Sequence, residues 1–80
     1  MEIEKEVILQ MSQGDQKAFG TMFRRFYPKV HRFVAMLLKK QDDTDDVCQL
    51  IFEKVWRKRE KFADIKDFDS YLFILAKLSI

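Results

Sequence analysis

Apolar residues recur at helical spacing along four segments of this 80-residue chain. In the first segment, about residues 2 to 13, the side chains of Ile3, Val7 and Met11 fall on one face of a helix. Gly14 follows and is placed to end that helix, because glycine readily adopts the left-handed backbone that closes many helices. The pattern therefore predicts a short N-terminal helix.

The second segment predicts a long helix that Asp15 caps and that extends to about Lys40. Its apolar residues fall within an arc of roughly 120° around the axis, and its cations lie outside that arc. Pro28 is on the outer side and should bend the helix without ending it. His31 lies beside the outer face, and we interpret it as an exposed bystander. The apolar residues are Phe19, Met22, Phe23, Phe26, Val30, Phe33, Val34 and Leu37, and the cations are Arg24, Arg25, Lys29 and Arg32.

The third segment begins with acids and ends with bases, a distribution that suits both ends of a helix. Asp43 or Thr44 can cap the first turn by accepting a backbone N–H bond. Asp45 and Asp46 then lie at the positive end of the helix dipole, and the basic residues 57–59 lie at its negative end. The segment therefore predicts a well-specified helix.

The side chains of this third helix divide into an apolar stripe and a polar arc about 80° wide. The arc places an indole beside an amide and carboxylates, which is typical of the centre of a protein interface. The spacing leaves an alternative open, in which Trp56 folds onto the edge of the core and the polar residues are simply solvated. The stripe consists of Val47, Cys48, Ile51 and Val55, the arc consists of Asp46, Gln49, Glu53 and Trp56, and Phe52 lies between them.

Residues 60–67 show no sustained period and predict a loop, after which Asp67 caps a fourth helix that begins at Phe68. This last helix has almost no polar face, and a helix that is apolar all round has to be covered on every side. An 80-residue domain cannot surround it. We therefore expect either that more chain follows Ile80 or that a partner, such as a second copy in a dimer, covers the helix.

Composition agrees with one small all-α domain, a compact bundle of about four helices over residues 1–80. Two glycines and one proline argue against a turn-rich all-β fold. The single cysteine, Cys48, excludes an internal disulfide, and its place on the apolar stripe predicts a packed, unreactive thiol. No apolar run approaches the roughly 20 residues that span a bilayer, and the acidic N-terminus is unlike a signal peptide. These features predict a cytoplasmic protein that does not enter a membrane.

The residue types argue against catalysis. The chain has one His, one Cys and no glycine-rich phosphate loop. The acids Asp42, Asp43, Asp45 and Asp46 could suggest a divalent-ion site, but acids at a helix start are more often capping and dipole residues. We therefore predict a protein that is not an enzyme and that needs no metal or other cofactor.

Three motifs carry a family resemblance. The third helix supplies Asp46-x-x-Gln49-x-x-Phe52-x-x-x-Trp56 followed by the basic run, and the fourth supplies Phe68-x-x-Tyr71-Leu72-x-x-Leu75-Ala76-Lys77. The second helix supplies Ala18-Phe19-x-x-Met22-Phe23-x-x-Phe26-Tyr27-x-x-Val30. Together they resemble region 2 of bacterial sigma factors of the extracytoplasmic-function type, in the family's order and over nearly the whole chain. The resemblance implies a helical domain that takes part in transcription initiation.

The resemblance also implies two binding surfaces. Core RNA polymerase would bind the polar arc through the coiled coil of its large clamp subunit. The non-template strand of the minus-ten promoter element would lie against the residues after the third helix, where the family captures a flipped base. An alternative for two of these residues is that Phe62 packs under the loop and Tyr71 closes the core. The implied polymerase contacts are Asp46, Gln49, Phe52, Glu53 and Trp56, and the implied DNA contacts are Lys61, Phe62, Lys66, Tyr71 and Lys77.

Two residues depart from the family pattern. Leu50 stands where the family usually has an acid, and Leu78 stands where it usually has the Asn of its strand-separating segment. The remainder of the minus-ten helix and the second DNA-binding domain would lie beyond residue 80, so this chain is not expected to direct transcription alone.

A second hypothesis is a free-standing helical interaction module, such as a regulator that binds another helical protein. It would need the polar arc but not the cationic, aromatic segment before Phe68. Under the first hypothesis, an anti-sigma factor would be a possible further partner.

Overall fold

The computed structural model describes the backbone of residues 2–38 and 43–80, with side chains from residue 5 onward. Four α-helices follow one another in these ranges: α1 (Glu2–Ser12), α2 (Gln16–Leu37), α3 (Thr44–Arg57) and α4 (Phe68–Leu78). A 3-10 helical segment, Arg59–Asp64, connects α3 to α4. No strand occurs in the described ranges, so the predicted all-α bundle is confirmed.

The junction between α1 and α2 follows the sequence prediction. Gly14 has φ +97°, a backbone conformation that L side chains rarely adopt, and it ends α1. The Asp15 carboxylate then accepts hydrogen bonds from the backbone N–H groups of Lys17 and Ala18 at 2.9 and 3.1 Å. These bonds satisfy two of the N–H groups that a helix start leaves without an intrahelical partner.

Helix α2 continues through Pro28, which lies exposed on its outer side. Proline has no N–H to bond to the carbonyl four residues earlier in the helix. That carbonyl therefore lies on the solvent side of the helix. The predicted end near Lys40 is too late, because Leu38 already has extended backbone angles, with φ −92° and ψ 133°. Lys39 and Lys40 lie outside the described residues.

The predicted cap of α3 is wrong. Asp43 occupies the cap position with helical backbone angles, and its side chain accepts no capping hydrogen bond. A capping side chain usually needs an extended backbone at that position so that its oxygen can turn back toward the following N–H groups. Thr44 is instead the first helical residue, and its buried hydroxyl has no hydrogen-bond partner among the described residues.

The segment predicted as a loop is largely helical. Residues Arg59–Asp64 form two turns of 3-10 helix, with the Lys61 N–H bonded to the Lys58 carbonyl at 2.9 Å. Phe62 anchors these turns, since its side chain is only 1 % exposed and meets the rings of Phe68 and Tyr71 edge-on at 5.2 Å each. A 3-10 helix repeats every three residues, so its side chains do not show the 3.6-residue spacing of an α-helix.

One hydrophobic core joins all the helices. Buried side chains come from α1, from the inner face of α2, from the apolar stripe of α3, from Phe62 and from α4. Cys48 is fully buried within this core, and burial raises the pKa of its thiol, so the prediction of a packed cysteine is confirmed. The largest fully buried side chains are Phe52, Phe62, Met11, Met22, Ile51 and Leu72.

Helix α4 begins at the predicted cap. The Asp67 carboxylate accepts hydrogen bonds from the Ser70 backbone N–H at 3.1 Å and from the Ser70 hydroxyl at 2.8 Å, and these bonds lower the pKa of Asp67. Farther along the helix, Ile74 is 58 % exposed and Leu78 is 78 % exposed. The described part of the chain therefore leaves one side of α4 uncovered. No helix among the described residues is long and apolar enough to cross a membrane.

Candidate functional site

The polar arc of α3 lies on the surface. Asp46, Gln49 and Glu53 are exposed, and Trp56 is half-buried at the end of the row. With a rise of about 1.5 Å per residue, the row extends roughly 15 Å along the helix. Arg57 approaches Glu53 at 3.8 Å, but both side chains remain about two-thirds exposed, so this pair leaves the Glu53 carboxylate accessible.

The indole of Trp56 is held in a fixed position by its neighbours. The ring of Phe19 meets it edge-on with 5.0 Å between centroids, and the Arg59 guanidinium lies over it at 4.3 Å. The Nη1 atom of Arg59 also donates a hydrogen bond to the Trp56 carbonyl at 3.0 Å. Trp56 thus packs partly against the core and partly faces outward, which combines the two predicted arrangements.

A shallow cleft of about 270 Å³ opens between α2 and α3 beside this row. Phe52 forms its floor and is only 1 % exposed, with the Phe23 ring 4.8 Å away. Phe52, a predicted polymerase contact, thus offers a partner very little surface, because its ring is almost enclosed by residues of this chain. Phe52 supports the surface from below. The cleft is lined by Phe19, Phe23, Gln49, Phe52, Glu53 and Trp56.

Asp45 connects α3 to α2 in a way that the sequence did not reveal. Its Oδ1 atom accepts a hydrogen bond from the Tyr27 hydroxyl at 3.1 Å, and the Nε2 atom of His31 lies 3.1 Å from the same oxygen. Burial and the bond to Asp45 raise the pKa of Tyr27 to about 12. His31 therefore has a partner, and its interpretation as a bystander is wrong. The four-residue spacing of Tyr27 and His31 was the available signal, since it puts both side chains on one face of α2.

The acids at the start of α3 do not form a metal site in the structure as described. Residues 5–38 and 43–80 contain no group of three His, Cys, Asp or Glu side chains that could hold an ion. Asp42 lies outside the described residues. Asp45 instead bonds to α2, and Asp46 points to solvent.

A second, larger cavity of about 690 Å³ lies where α1, the 3-10 segment and the start of α4 meet. Phe62 and Lys66, two of the predicted DNA contacts, line it. Lys61, Tyr71 and Lys77 do not line it, although both lysines are exposed on the surface. The cavity thus brings together only part of the predicted set. Its lining also includes Lys5, Ile8, Leu9, Phe26, Ile65, Phe68 and the acids Asp64, Asp67 and Asp69.

The burial of Phe62 changes its predicted role. Its ring is enclosed between Phe68 and Tyr71, so it cannot stack on a base without leaving the core. The alternative arrangement, in which Phe62 packs under its segment and Tyr71 closes the core, agrees with these contacts. Tyr71 is half-buried and keeps part of its ring accessible.

The two departures from the family pattern are both on the surface. Leu50 is 39 % exposed on α3, and Leu78 is 78 % exposed at the end of α4. Neither residue is needed to fill the core of the described structure. Each is available for contacts with another molecule.

Comparison with known families gives one match. The family described as Sigma-70 region 2 matches residues 22–80, which include most of α2, all of α3 and all of α4. No curated protein and no solved structure matched the chain.

Proposed function

Since this chain belongs to the Sigma-70 region 2 family, a family of transcription initiation domains, we propose that it attaches to the RNA polymerase core through the exposed row of α3. We further propose that the cavity beside the 3-10 segment contributes to recognition of the minus-ten promoter element. The family is not catalytic, so the function depends on these surfaces and on no reacting group.

The observation that carries the polymerase proposal is the exposed amide of Gln49 between the carboxylates of Asp46 and Glu53, next to a half-buried Trp56. An amide can both donate and accept hydrogen bonds, so Gln49 can fix the register of a partner helix. The indole is already held by Phe19 and Arg59, and it therefore loses little conformational freedom on binding. Such preorganised aromatic side chains often supply much of the binding energy of an interface.

The clamp coiled coil of the large polymerase subunit suits this row. Ridges of one helix can pack against the cleft between α2 and α3, whose floor is the buried ring of Phe52. Basic side chains on the coiled coil would meet Asp46 and Glu53, and this complementarity would set orientation and association rate more than affinity. Core binding therefore combines an aromatic centre with a polar rim.

The promoter proposal is supported by the cavity of about 690 Å³. A flipped base needs an enclosed pocket with apolar walls, and Phe26, Ile65 and Phe68 supply such walls. Lys66 on the rim can approach a phosphate, while Phe62 acts from below by fixing the segment. Lys61, Tyr71 and Lys77 remain proposed contacts for the strand outside the cavity.

Polymerase binding can be tested with Gln49→Ala in a quantitative pull-down against core RNA polymerase. Alanine removes the amide but suits a helix, so the fold should be kept and the melting temperature should not fall. We expect affinity to drop by about tenfold, the equivalent of roughly 1.4 kcal/mol. Gln10→Ala on α1 is the matched control, since Gln10 is equally an exposed helical glutamine but lies outside the proposed surface. Equal binding by the Gln49 variant and the native chain would remove Gln49 from the interface.

A further inference from the structure

The outer face of α2 carries five cations. At 100° per residue, these side chains fall within an arc of about 140° on the outer side of the helix. All five are exposed, and the same arc holds no acid. The cations are Lys17, Arg24, Arg25, Lys29 and Arg32.

For three of the five cations, no acid of the described residues neutralises the charge. Lys29 lies 3.8 Å from Asp69, and both side chains are about half exposed. Among the residues that the structure describes, Lys17, Arg24 and Arg32 have no acid within ion-pair distance. A concentration of one sign of charge on one face creates a potential that attracts a polyanion.

The face differs from the polar row of α3 in a way that indicates its partner. The α3 row has Trp56 and an adjoining apolar cleft, which are features of protein interfaces. The cationic arc of α2 has no aromatic side chain, and three of its five cations are arginines. Arginine binds phosphate through paired N–H donors, and contacts of this kind dominate the binding of nucleic acid backbones.

This face is continuous with the cavity proposed for the promoter base. Lys29 pairs with Asp69 and lies 5.7 Å from the centre of the Phe26 ring, and both Asp69 and Phe26 line the cavity. From Lys17 to Arg32 the helix rises about 22 Å, a length sufficient for several phosphates of one strand. Lys29 therefore adjoins both the cavity and the arginines on the outer face of α2.

We propose that the outer face of α2 binds the phosphodiester backbone of the single DNA strand whose base enters the cavity. This inference rests on the proposed promoter contact, and it adds a binding surface on a helix outside the predicted DNA-binding set. Binding at this face would not depend on the base sequence of the DNA. The face would position the strand through its phosphates, and the cavity would recognise the base.

The salt dependence of binding tests the proposal. The probe is a fluorescein-labelled, mixed-sequence single-stranded deoxyoligonucleotide, titrated with the full chain at several salt concentrations. For a single strand, each phosphate contact contributes about 0.7 to the slope of log K against log salt, so the double variant Arg24→Gln, Arg32→Gln should reduce the slope by about 1.4. The matched control is Arg57→Gln, Lys58→Gln, which removes the same charge from the exposed end of α3.

The outcomes separate this inference from the proposed function. A reduced slope for the α2 variant, with the control variant close to the native chain, would support it. An equal reduction of the slope in the α2 variant and in the control variant would overturn it, because the effect would then reflect net charge alone. If Lys66→Gln weakens binding but the α2 variant does not, the cavity proposal stands and the α2 proposal fails. Failure of every variant and of the native chain to bind the probe would remove both DNA proposals.

The choice of partner is tested in two further arms. Poly-glutamate of similar charge should bind more weakly than the single strand, and tighter binding of poly-glutamate would indicate an acidic protein partner instead. The salt slopes of the α2 variant and the control variant should differ less on a duplex of the same sequence than on the single strand. An equal or larger difference on the duplex would contradict the assignment to a single strand. Circular dichroism of each variant confirms that α2 is folded, since glutamine suits a helix.

Discussion

The hydroxyl of Tyr27 donates a hydrogen bond to Asp45 across 3.1 Å, and this bond joins the middle of α2 to the first turn of α3. Asp45 precedes Asp46 and Gln49, the first two residues of the exposed row. The contact between the two helices therefore helps to fix the direction in which α3 presents that row.

This relationship predicts a loss of stability at alkaline pH. Burial and the Asp45 bond raise the pKa of Tyr27 from 10.0 to about 12. Between these values the unfolded chain releases the tyrosine proton and the folded chain retains it, so the free energy of unfolding should fall as pH rises from about 10 to about 12. Chemical denaturation of the native chain and of Tyr27→Phe across this range measures the effect.

Tyr27→Phe should lack this part of the alkaline decrease, because phenylalanine has no proton to release. At neutral pH the variant loses one partly exposed hydrogen bond, and we expect a cost of about 0.5–1 kcal/mol. Identical alkaline profiles for the two chains would mean that Tyr27 is not responsible for the decrease.

The glycines give a pair of substitutions with opposite expected effects. Gly14→Ala places a side chain at φ +97°, and should lower the free energy of unfolding by about 1–3 kcal/mol. Gly20→Ala lies inside α2, where the added Cβ would meet only the mobile end of Arg24 at 3.4 Å. That change should raise stability by up to about 1 kcal/mol, because alanine favours a helix. Thermal denaturation of both variants checks the sign of each change.

The helix caps give a second test of the fold. Asp67→Ala removes the acceptor of the Ser70 bonds and should lower the melting temperature. Asp64→Ala is the matched control, since Asp64 is exposed at the end of the 3-10 segment and caps no helix. Because its hydrogen bonds lower the pKa of Asp67, its contribution is present above its ordinary value of 3.8 and is lost as pH falls through the lowered pKa. A similar decrease in both variants would show that the Ser70 bonds do not account for the loss.

Substitutions of Phe52 and Trp56 should affect folding stability and polymerase binding to different degrees. Phe52→Ala empties a fully enclosed site and should cost about 3–5 kcal/mol of folding free energy. Trp56→Ala removes a half-buried ring, so it should cost less stability and should weaken polymerase binding more than its effect on the fold explains. Urea denaturation and core-polymerase titration of both variants, at a temperature where each is folded, measure the two effects. Polymerase affinity that follows stability in both variants would argue against a direct contact by Trp56.

Local patterns predicted the elements of this fold well. Helical spacing located all four helices, and Asp15 and Asp67 were identified as caps because a cap depends on residues close in sequence. The prediction that Asp43 caps α3 was wrong because the backbone of Asp43 is helical. The sequence pattern of side chains does not predict the backbone angles of a single residue. The 3-10 segment was missed because its period is three residues.

Contacts between helices could not be predicted in the same way. The Asp45 bonds to Tyr27 and His31 depend on how α2 and α3 lie against each other, and the residues are 18 and 14 positions apart in sequence. The burial of Phe52 and Phe62 has the same origin, since each ring is covered by aromatic residues of other elements. The exposed row of α3 was predictable because it needs only the geometry of one helix.

Site-specific photo-crosslinking tests the proposed attachment most directly. The chain carries benzoylphenylalanine in place of Glu53, on the rim of the cleft. It is mixed with core RNA polymerase and irradiated, and the crosslinked peptides are identified by mass spectrometry. If α3 binds as proposed, the label at Glu53 crosslinks to the clamp coiled coil of the large subunit, and the same label at Gln10 gives few crosslinks or none. Crosslinks from position 10 to that coiled coil, with none from position 53, would show that the exposed row of α3 is not the attachment surface.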